Sequence, residues 1–399
     1  MNKPVKQHLI DPELCIRCYT CEEVCPIDAI THDDNNVVVD FDKCNFCMDC
    51  IAPCPTGTID NWRVVTTPYT LEEQCSWTEL PEQEDLVSAD GSQAGGTIEA
   101  LDDEIERLLK EAHAGAGGKV VAPPSASKAT VNLYNAQHTA TATVQGNYLL
   151  TGETADSDVH HIILDFGQQS MPVLEGQSIG IIPPGTDANG KPHIARLYSI
   201  SSPRDGERPN TNNLSLTIKR EPHGVGSNYM CDLKKGDKVN VTGPFGGTFL
   251  MPNDPQANLI MICTGTGSAP FRAFTMRRQR TTPGGHGGMT LFFGARDPDA
   301  LPYFGPLKKV PETFLRKLFA FSRVAGAPKE YVQDKMRVEA ASVAEALKNP
   351  GTHVYVCGLK AMEAGVEQAF EDIARGAGMD WQTIRAQMRE QGRYHLETY

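Results

Sequence analysis

Positive charge is scarce in this chain of 399 residues: 37 lysines and arginines stand against 50 aspartates and glutamates, a formal net charge of −13. Nucleic acid and anionic membrane both reward basic surfaces, so neither is expected as a main partner. Long hydrophobic runs are missing as well, and none approaches the ~18 apolar residues of a membrane span. The opening MNKPVKQHLIDPELC has no apolar h-region, so a cytoplasmic protein is expected. Aromatics amount to 7% with 3 tryptophans, which read as structural. The 11 histidines include no pair at metal-ligand spacing on one helix face. His160 and His161 share a strand-like stretch and face opposite ways. Glu-x-x-His does not occur, which excludes a di-iron carboxylate site of the bundle type. Any oxygen activation therefore falls to a partner.

What is present describes an ordinary globular chain, with 40% hydrophobic and 22% charged residues. At roughly 150 residues per domain, two to three domains are expected. The charge is unevenly spread. Residues 1–62 carry 4 basic and 11 acidic side chains and residues 71–128 carry 4 and 13; with Arg63 between them, residues 129–399 are left at +2. An acidic front precedes a nearly neutral back.

Of 12 cysteines, eight fall in the first 54 residues. Cys15-x2-Cys18-x2-Cys21-x3-Cys25-Pro26 returns 29 residues later as Cys44-x2-Cys47-x2-Cys50-x3-Cys54-Pro55. This is the bacterial ferredoxin run, in which the fourth cysteine serves the other cluster. Cys15, Cys18, Cys21 and Cys54 are expected to hold one [4Fe–4S] cluster; Cys44, Cys47, Cys50 and Cys25 the second. Four-cysteine zinc is the competing reading, but such sites use two separated C-x2-C pairs. So small a head has little core, and its clusters should supply most of its stability. Its acidic residues read as solvated surface or as a docking patch. The other four cysteines are isolated: Cys231 and Cys263 read as core, and Cys75 has no partner at metal-binding spacing.

Residues 83–130 are rich in Gly, Ala, Ser and Pro and read as flexible or extended. Within them Ile98, Leu101, Ile105, Leu108 and Ala112 recur at helical steps, predicting one amphipathic helix that docks or merely spaces. From about residue 131, short alternating strands broken by Gly and Pro predict a closed antiparallel barrel. From about 255, buried-strand runs alternating with helical stretches predict a parallel nucleotide-binding sheet. The expected organisation is a multidomain chain: head 1–70, linker 71–130, barrel 131–254 and α/β domain 255–399.

Three stretches carry chemistry. Arg196-Leu197-Tyr198-Ser199 is strand-like, so that Tyr198 can lie on an aromatic ring system while Arg196 meets a phosphate. Gly224-Val225-Gly226-Ser227 opens a helix whose first N–H groups suit a pyrophosphate. Thr264-Gly265-Thr266-Gly267-Ser268-Ala269-Pro270 follows a strand and precedes a helix, a second phosphate cradle.

In chain order, RLYSISSP, LTIKRE, GVGSNYMCDL, VTGPFG, LIMICTGTGSAPFR, VYVCGLKAME and ETY make the back 270 residues resemble the plant-type ferredoxin–NADP reductase family. The resemblance implies a barrel binding FAD and an α/β domain binding a nicotinamide dinucleotide. It places Arg196, Leu197, Tyr198 and Ser199 on the flavin, with Thr217, Ile218 and Lys219 flanking it. Val225, Gly226 and Ser227 take its pyrophosphate. Thr264, Gly265, Thr266 and Gly267 take that of the nicotinamide cofactor, joined by Ala295, Arg296, Gly358 and Leu359. Ser199, Cys357, Glu397 and Tyr399 surround the site of hydride transfer, with Tyr399 on the flavin face opposite Tyr198, where nicotinamide must compete with it. The loop after Lys219 lacks the tyrosine that stacks on adenine in the plant enzymes.

Ser322, Arg323, Lys329, Tyr331 and Gln333 supply the hydroxyl, cations and ring that a 2′-phosphoadenosine demands, although the loop 324–328 is shorter than in the family. NADPH is therefore expected over NADH. With its head included, the chain resembles reductases that serve the separate di-iron epoxidase of aerobic benzoyl-CoA breakdown. That resemblance implies electron flow from NADPH through FAD and two [4Fe–4S] clusters to such an oxygenase. Two alternatives stay open: the same machine running toward NADPH formation, and an electron-carrier subunit of another complex.

Overall fold

A computed structural model of the protein describes residues 5–13, 15–47, 50, 54, 58–59, 61–81, 107, 121–152, 155–186, 190–209 and 211–399. The helix expected over 98–112 lies outside the described residues except at Arg107, which is helical. Among the described residues, no helix is long and apolar enough to cross a membrane.

The head contains β1 (Val5–Leu9), a short α1 (Thr20–Glu23), β2 (Ile30–His32), β3 (Val37–Val39) and β4 (Asn61–Val65). β1 pairs antiparallel with β4, and β2 with β3. Each pair takes one strand from each cysteine repeat, so the two halves are interlocked. The 29-residue offset also carries Arg17 onto Phe46, and both adopt a left-handed backbone (φ 54° and 61°). Packing does not stop at residue 70, where the linker was expected to begin. Thr70 and Glu73 cap α2 (Leu71–Cys75) reciprocally, and the buried Gln74 accepts from Val39 N (3.1 Å) and donates to Val39 O (3.0 Å). Asn36 donates to the Gln74, Cys75 and Trp77 carbonyls, and Arg63 reaches the Pro81 carbonyl. Buried amide partners and Arg63 thus hold residues 71–81 to the head.

The barrel comprises β5 (Ala140–Leu149), β6 (Val159–Asp165), β7 (Ser178–Ile181), β8 (Arg196–Ser199), β9 (Asn213–Lys219), α3 (Val225–Asp232) and β10 (Lys238–Phe245). Its antiparallel strands run in the order β8-β7-β10-β5-β6-β9, and a bridge between Ile200 and Leu216 joins the two edges. Alternation fixes the register: Ala140, Ala142 and Val144 are buried, whereas Thr141 and Gln145 are exposed. The end of the expected linker lies along this barrel, with Thr130 O accepting from Gln177 and Ser127 Oγ from Arg204, both at 2.9 Å.

Next come β11 (Asn258–Thr264), α4 (Ala269–Thr281), β12 (Met289–Ala295), α5 (Phe304–Lys309), β13 (Arg316–Phe321), α6 (Val332–Val338), α7 (Ala340–Lys348), β14 (Thr352–Gly358), α8 (Glu363–Gly376), α9 (Trp381–Glu390) and β15 (Tyr394–Thr398). The sheet is parallel throughout, in the order β13-β12-β11-β14-β15. Ile260, Ile262, Val354 and Val356 belong to one core, and the alternate residues Leu259, Met261, Cys263, Tyr355 and Cys357 to another. Helices cover both faces, which explains the near-continuous apolar runs of these strands.

A polar junction fixes the barrel to the sheet. Arg272 of α4 donates to both oxygens of Glu207 (2.6 and 2.9 Å) and to the Ser201 carbonyl (2.8 Å). Its guanidinium lies over the Tyr303 ring at 4.9 Å. The Tyr303 hydroxyl bonds Thr217 Oγ1 (2.6 Å) and His161 Nδ1 (2.8 Å). Burial alone would raise the Glu207 carboxyl, but hydrogen bonds from His161 and Arg272 outweigh it and hold Glu207 well below the ordinary carboxylate range. A depressed carboxylate stabilises the fold above its unfolded-state pKa of 4.5 and loses that contribution as pH falls below it. Glu207→Gln strands Arg272 and should cost about 3 kcal/mol, lowering the apparent melting temperature by roughly 5–10 °C at pH 7. Thermal scans from pH 7 to pH 3.5 should show the deficit shrinking below about pH 4.5.

Candidate functional site

Barrel and sheet face each other across a cleft of 1480 Å3. Arg196, Leu197, Tyr198 and Ser199 form β8 and line it, as do Thr217, Ile218 and Lys219 from the end of β9. Val225, Gly226 and Ser227 enter from the first turn of α3. The helix has no side-chain cap and no acidic residue in that turn, so its leading N–H groups are left to the cleft. Gly226 is required there: a Cβ would lie 2.8 Å from Arg196 Cγ and 3.1 Å from the Tyr198 hydroxyl. The helix start is thus flush against β8. These donors fit a flavin dinucleotide, with an aromatic face, a guanidinium and open N–H groups side by side.

The opposite wall begins where β11 ends. Thr264, Gly265 and Thr266 line the cleft, and the tight turn Gly265–Ser268 again has no side-chain cap. Gly265 sits at φ 53°, a left-handed conformation natural to glycine. Gly267 is buried, because its Cβ would stand 2.2 Å from the Cys357 carbonyl oxygen. Ala295, Arg296, Ser322, Arg323, Lys329, Tyr331, Gln333 and Leu359 complete this wall.

Between the walls, β15 brings its last residues to the barrel. Ser199 Oγ donates to Glu397 Oε1 at 3.1 Å, and Ser178 Oγ approaches the same oxygen at 3.5 Å. The Tyr399 hydroxyl lies 2.8 Å from Thr266 Oγ1, and its backbone bonds Gly358 O and Lys360 N at 3.0 Å each. Three of the expected residues do not line the cleft: Gly267, Gly358 and Cys357. Gly358 stands behind Thr264, whose Oγ1 would be 2.7 Å from its Cβ. Cys357 is fully buried, in register with Cys263 and Glu397 on neighbouring strands. Its thiol is pushed up by burial and by the neighbouring charges of Glu397 and Cys263. Cys357 is at the same time a neighbour of Tyr399, whose hydroxyl is pushed up by burial and then by Cys357.

Sequence reasoning missed Ser178, Tyr303 and Asp156. Ser178 was visible only as a polar residue inside an apolar strand. Tyr303 carried no motif at all; it stands at φ 61° and reaches Thr217 from the other domain.

In the head, the apolar residues Ile10, Ile30, Val37, Val39 and Ile59 pack with the buried Cys21 and Cys50, and Cys15, Cys25, Cys44 and Cys54 lie against them. Burial raises the Cys21 thiol to about 11, with the Cys54 and Cys15 charges adding to it. Cys44 is raised by burial and feels Cys47 and Cys25; Cys50 is raised by burial, then by Cys44 and Cys47. Each run's fourth cysteine thus neighbours the other run's triplet. Among the described residues, no three Cys, His, Asp or Glu side chains gather tightly enough for a single metal ion; thiolates at the corners of a four-iron cube stand further apart than the ligands of one ion. Thr20 Oγ1 donates to Cys18 Sγ (3.4 Å) and Ala29 N to Cys25 Sγ (3.3 Å), the kind of contact that tunes a cluster.

Comparison with known proteins defines the class. Residues 151–249 match the oxidoreductase FAD-binding domain, residues 261–368 the oxidoreductase NAD-binding domain, and residues 8–31 the 4Fe-4S binding domain. The cyanelle ferredoxin–NADP reductase of Cyanophora paradoxa is 42% identical over 272 residues, 63% of this chain and 74% of that protein. The ferredoxin–NADP reductase of Synechocystis is 38% identical over 287 residues, 67% of this chain and 70% of that protein. The solved ferredoxin–NADP+ reductase of Plasmodium falciparum superimposes with a TM-score of 0.53 at 25% identity, covering 67% of this chain and 99% of that one.

The protein is thus a flavin- and nicotinamide-dependent oxidoreductase with an iron–sulfur domain. More particularly, it belongs to the ferredoxin–NADP reductase family, with a 4Fe-4S domain fused to the reductase module. Gly267→Ala should disable the nucleotide cradle, since backbone cannot retreat from a contact of 2.2 Å. Isothermal titration with NADP+ should show at least roughly tenfold weaker binding while FAD absorbance is retained, as one displaced hydrogen bond to a charged group costs about 1.5–3 kcal/mol.

Proposed function

We propose that this enzyme takes electrons from NADPH and delivers them, through FAD and two [4Fe–4S] clusters, to a separate di-iron oxygenase. The observation that carries this reading is the convergence of three motifs far apart in sequence on one cleft, with Ser199 and Glu397 meeting at 3.1 Å in its middle. When bound, FAD exchanges a hydride with nicotinamide and single electrons with iron–sulfur cubes. In this reading Tyr198 carries one face of the flavin ring, and Arg196 with the α3 start holds its phosphates. Thr217 is kept in place by Tyr303. Ser199 and Glu397 border the hydride path, and Tyr399 lies where nicotinamide must enter, held by Thr266. Cys15, Cys18, Cys21 and Cys54 hold one cluster and Cys44, Cys47, Cys50 and Cys25 the other, which supports two clusters rather than one.

The partner follows from the whole-chain resemblance: a cytoplasmic di-iron epoxidase acting on benzoyl-CoA. Anaerobic NADPH titration should bleach flavin and then cluster absorbance. Reoxidation on adding oxygen should require that epoxidase and benzoyl-CoA; reoxidation indifferent to both would remove the partner assignment. The relatives' own name, ferredoxin–NADP reductase, favours a second reading in which the enzyme forms NADPH, and cluster potentials well below the nicotinamide couple would select it.

The preference for NADPH rests on Arg323, Lys329, Tyr331, Ser322 and Gln333, all on the cleft wall. At about 1.5–3 kcal/mol per charged hydrogen bond, Arg323→Ala/Lys329→Ala should lower kcat/KM for NADPH by roughly 10- to 100-fold or more. Steady-state assays should find NADH turnover nearly unchanged.

A further inference from the structure

One loop of the barrel reaches across to the nucleotide-binding wall, and it carries an acid. Residues 150–152 follow β5 and residues 155–158 lead into β6, and both of these stretches are fastened. At one end Gly152 N donates to Asp299 O at 2.8 Å, across the domain boundary. A Cβ on Gly152 would stand 2.9 Å from Asp299 Cγ, so the loop is seated directly on the turn that follows β12. At the other end, Asp158 is committed to the barrel. Its oxygens accept from Arg220 Nε (2.7 Å) and lie 2.6 Å from His160 Nε2. Its carbonyl accepts from Arg220 N at 2.7 Å.

Between these anchors Asp156 points the other way. Its Oδ2 lies 3.3 Å from Arg296 Nη1 and 3.5 Å from Arg323 Nη1. One carboxylate oxygen therefore lies between two guanidinium groups of the cleft wall, and Ser157 beside it lines the same cleft. Glu330, another acid on this wall, is paired instead with Lys335 at 2.8 Å within the nucleotide domain. Arg323 is the cation assigned above to the 2′-phosphate.

We infer that Asp156 is an internal competitor for the 2′-phosphate of the nicotinamide cofactor and acts as an affinity- and specificity-setting residue; the inference rests on the 2′-phosphate reading given above. A phosphate monoester carries close to two negative charges and three acceptor oxygens, against one charge and two oxygens on Asp156. It displaces the carboxylate from Arg323, but the binding it gains is reduced by the pairs it breaks and by repulsion from the nearby acid. A nucleotide without the phosphate leaves Asp156 where it is and feels no such penalty. The acid thus moderates NADP(H) affinity selectively and hastens release of NADP+. Because the pairs are exposed, the effect is modest and screened by salt.

The test uses the holoenzyme and two probes, 2′-phospho-AMP and 5′-AMP, titrated against the parent, Asp156→Asn and Arg323→Ala. Asp156→Asn should tighten 2′-phospho-AMP about three- to tenfold at low ionic strength. It should leave 5′-AMP unchanged, and the gain should shrink to near unity in 0.5 M salt, where the Debye length falls to about 4 Å. Unchanged 2′-phospho-AMP binding, equal tightening of both probes, or a gain indifferent to salt would each overturn the role of Asp156. The parent and Arg323→Ala report on the underlying reading separately. If the parent binds both probes equally and Arg323→Ala changes neither, the 2′-phosphate assignment falls, and the competitor with it.

Discussion

Everything in the reductase depends on how the barrel is held against the sheet, and Arg272 carries that junction. The residues that meet in the cleft come from opposite sides of it: Ser199 and Thr217 from the barrel, Glu397 and Tyr399 from β15. A bond of 3.1 Å between Ser199 and Glu397 tolerates little relative movement. Arg272 satisfies its donors on Glu207 and the Ser201 carbonyl and lies over Tyr303, whose hydroxyl reaches Thr217. The junction and the cleft are thus one connected network, with Thr217 in both. An apolar junction of the same size would hold the domains together without dictating their angle; hydrogen bonds with fixed directions do.

The parts legible in the sequence are those governed by local rules. Alternation gave β5, where Ala140, Ala142 and Val144 are buried and Thr141 and Gln145 are exposed, whereas β7 and β9 are buried at nearly every position. Continuous apolar runs gave β11 and β14, because helices cover both faces of that sheet. The glycines of the two expected cradles were legible because close approach needs residues without side chains: Gly226 against Arg196, Gly267 against the Cys357 carbonyl. The cysteine runs were legible for a similar reason, since cluster geometry dictates their spacing.

What escaped is whatever depends on two segments meeting. Tyr303 follows no motif, and its role exists only once Thr217 and His161 arrive from the barrel. Asp156 reads as one more acid in a polar loop until Arg296 and Arg323 are placed beside it. The side chains of Gln74 and Asn36, which bind residues 71–77 to the head, look like ordinary surface amides in sequence. Cys357 lies in a fully covered parallel strand, where every side chain goes into one core or the other, and it packs with Cys263, Tyr355 and Phe293.

That burial bears on how Tyr399 behaves. Its backbone is held at both polar groups, N to Gly358 O and O to Lys360 N, so the residue continues the edge of the sheet beside β14. The terminal residue as a whole is exposed, but its hydroxyl is buried beside Cys357 and bonded to Thr266. Moving the ring therefore requires a rotation about the side-chain bonds and the loss of one hydrogen bond, about 0.5–1.5 kcal/mol, with no unzipping of the strand. Thr266 belongs to the turn that cradles the cofactor phosphates in the reading above. A ligand engaging that turn competes for the same hydroxyl that holds the ring, so phosphate binding at one end of the cleft is coupled, through one threonine, to access at the other.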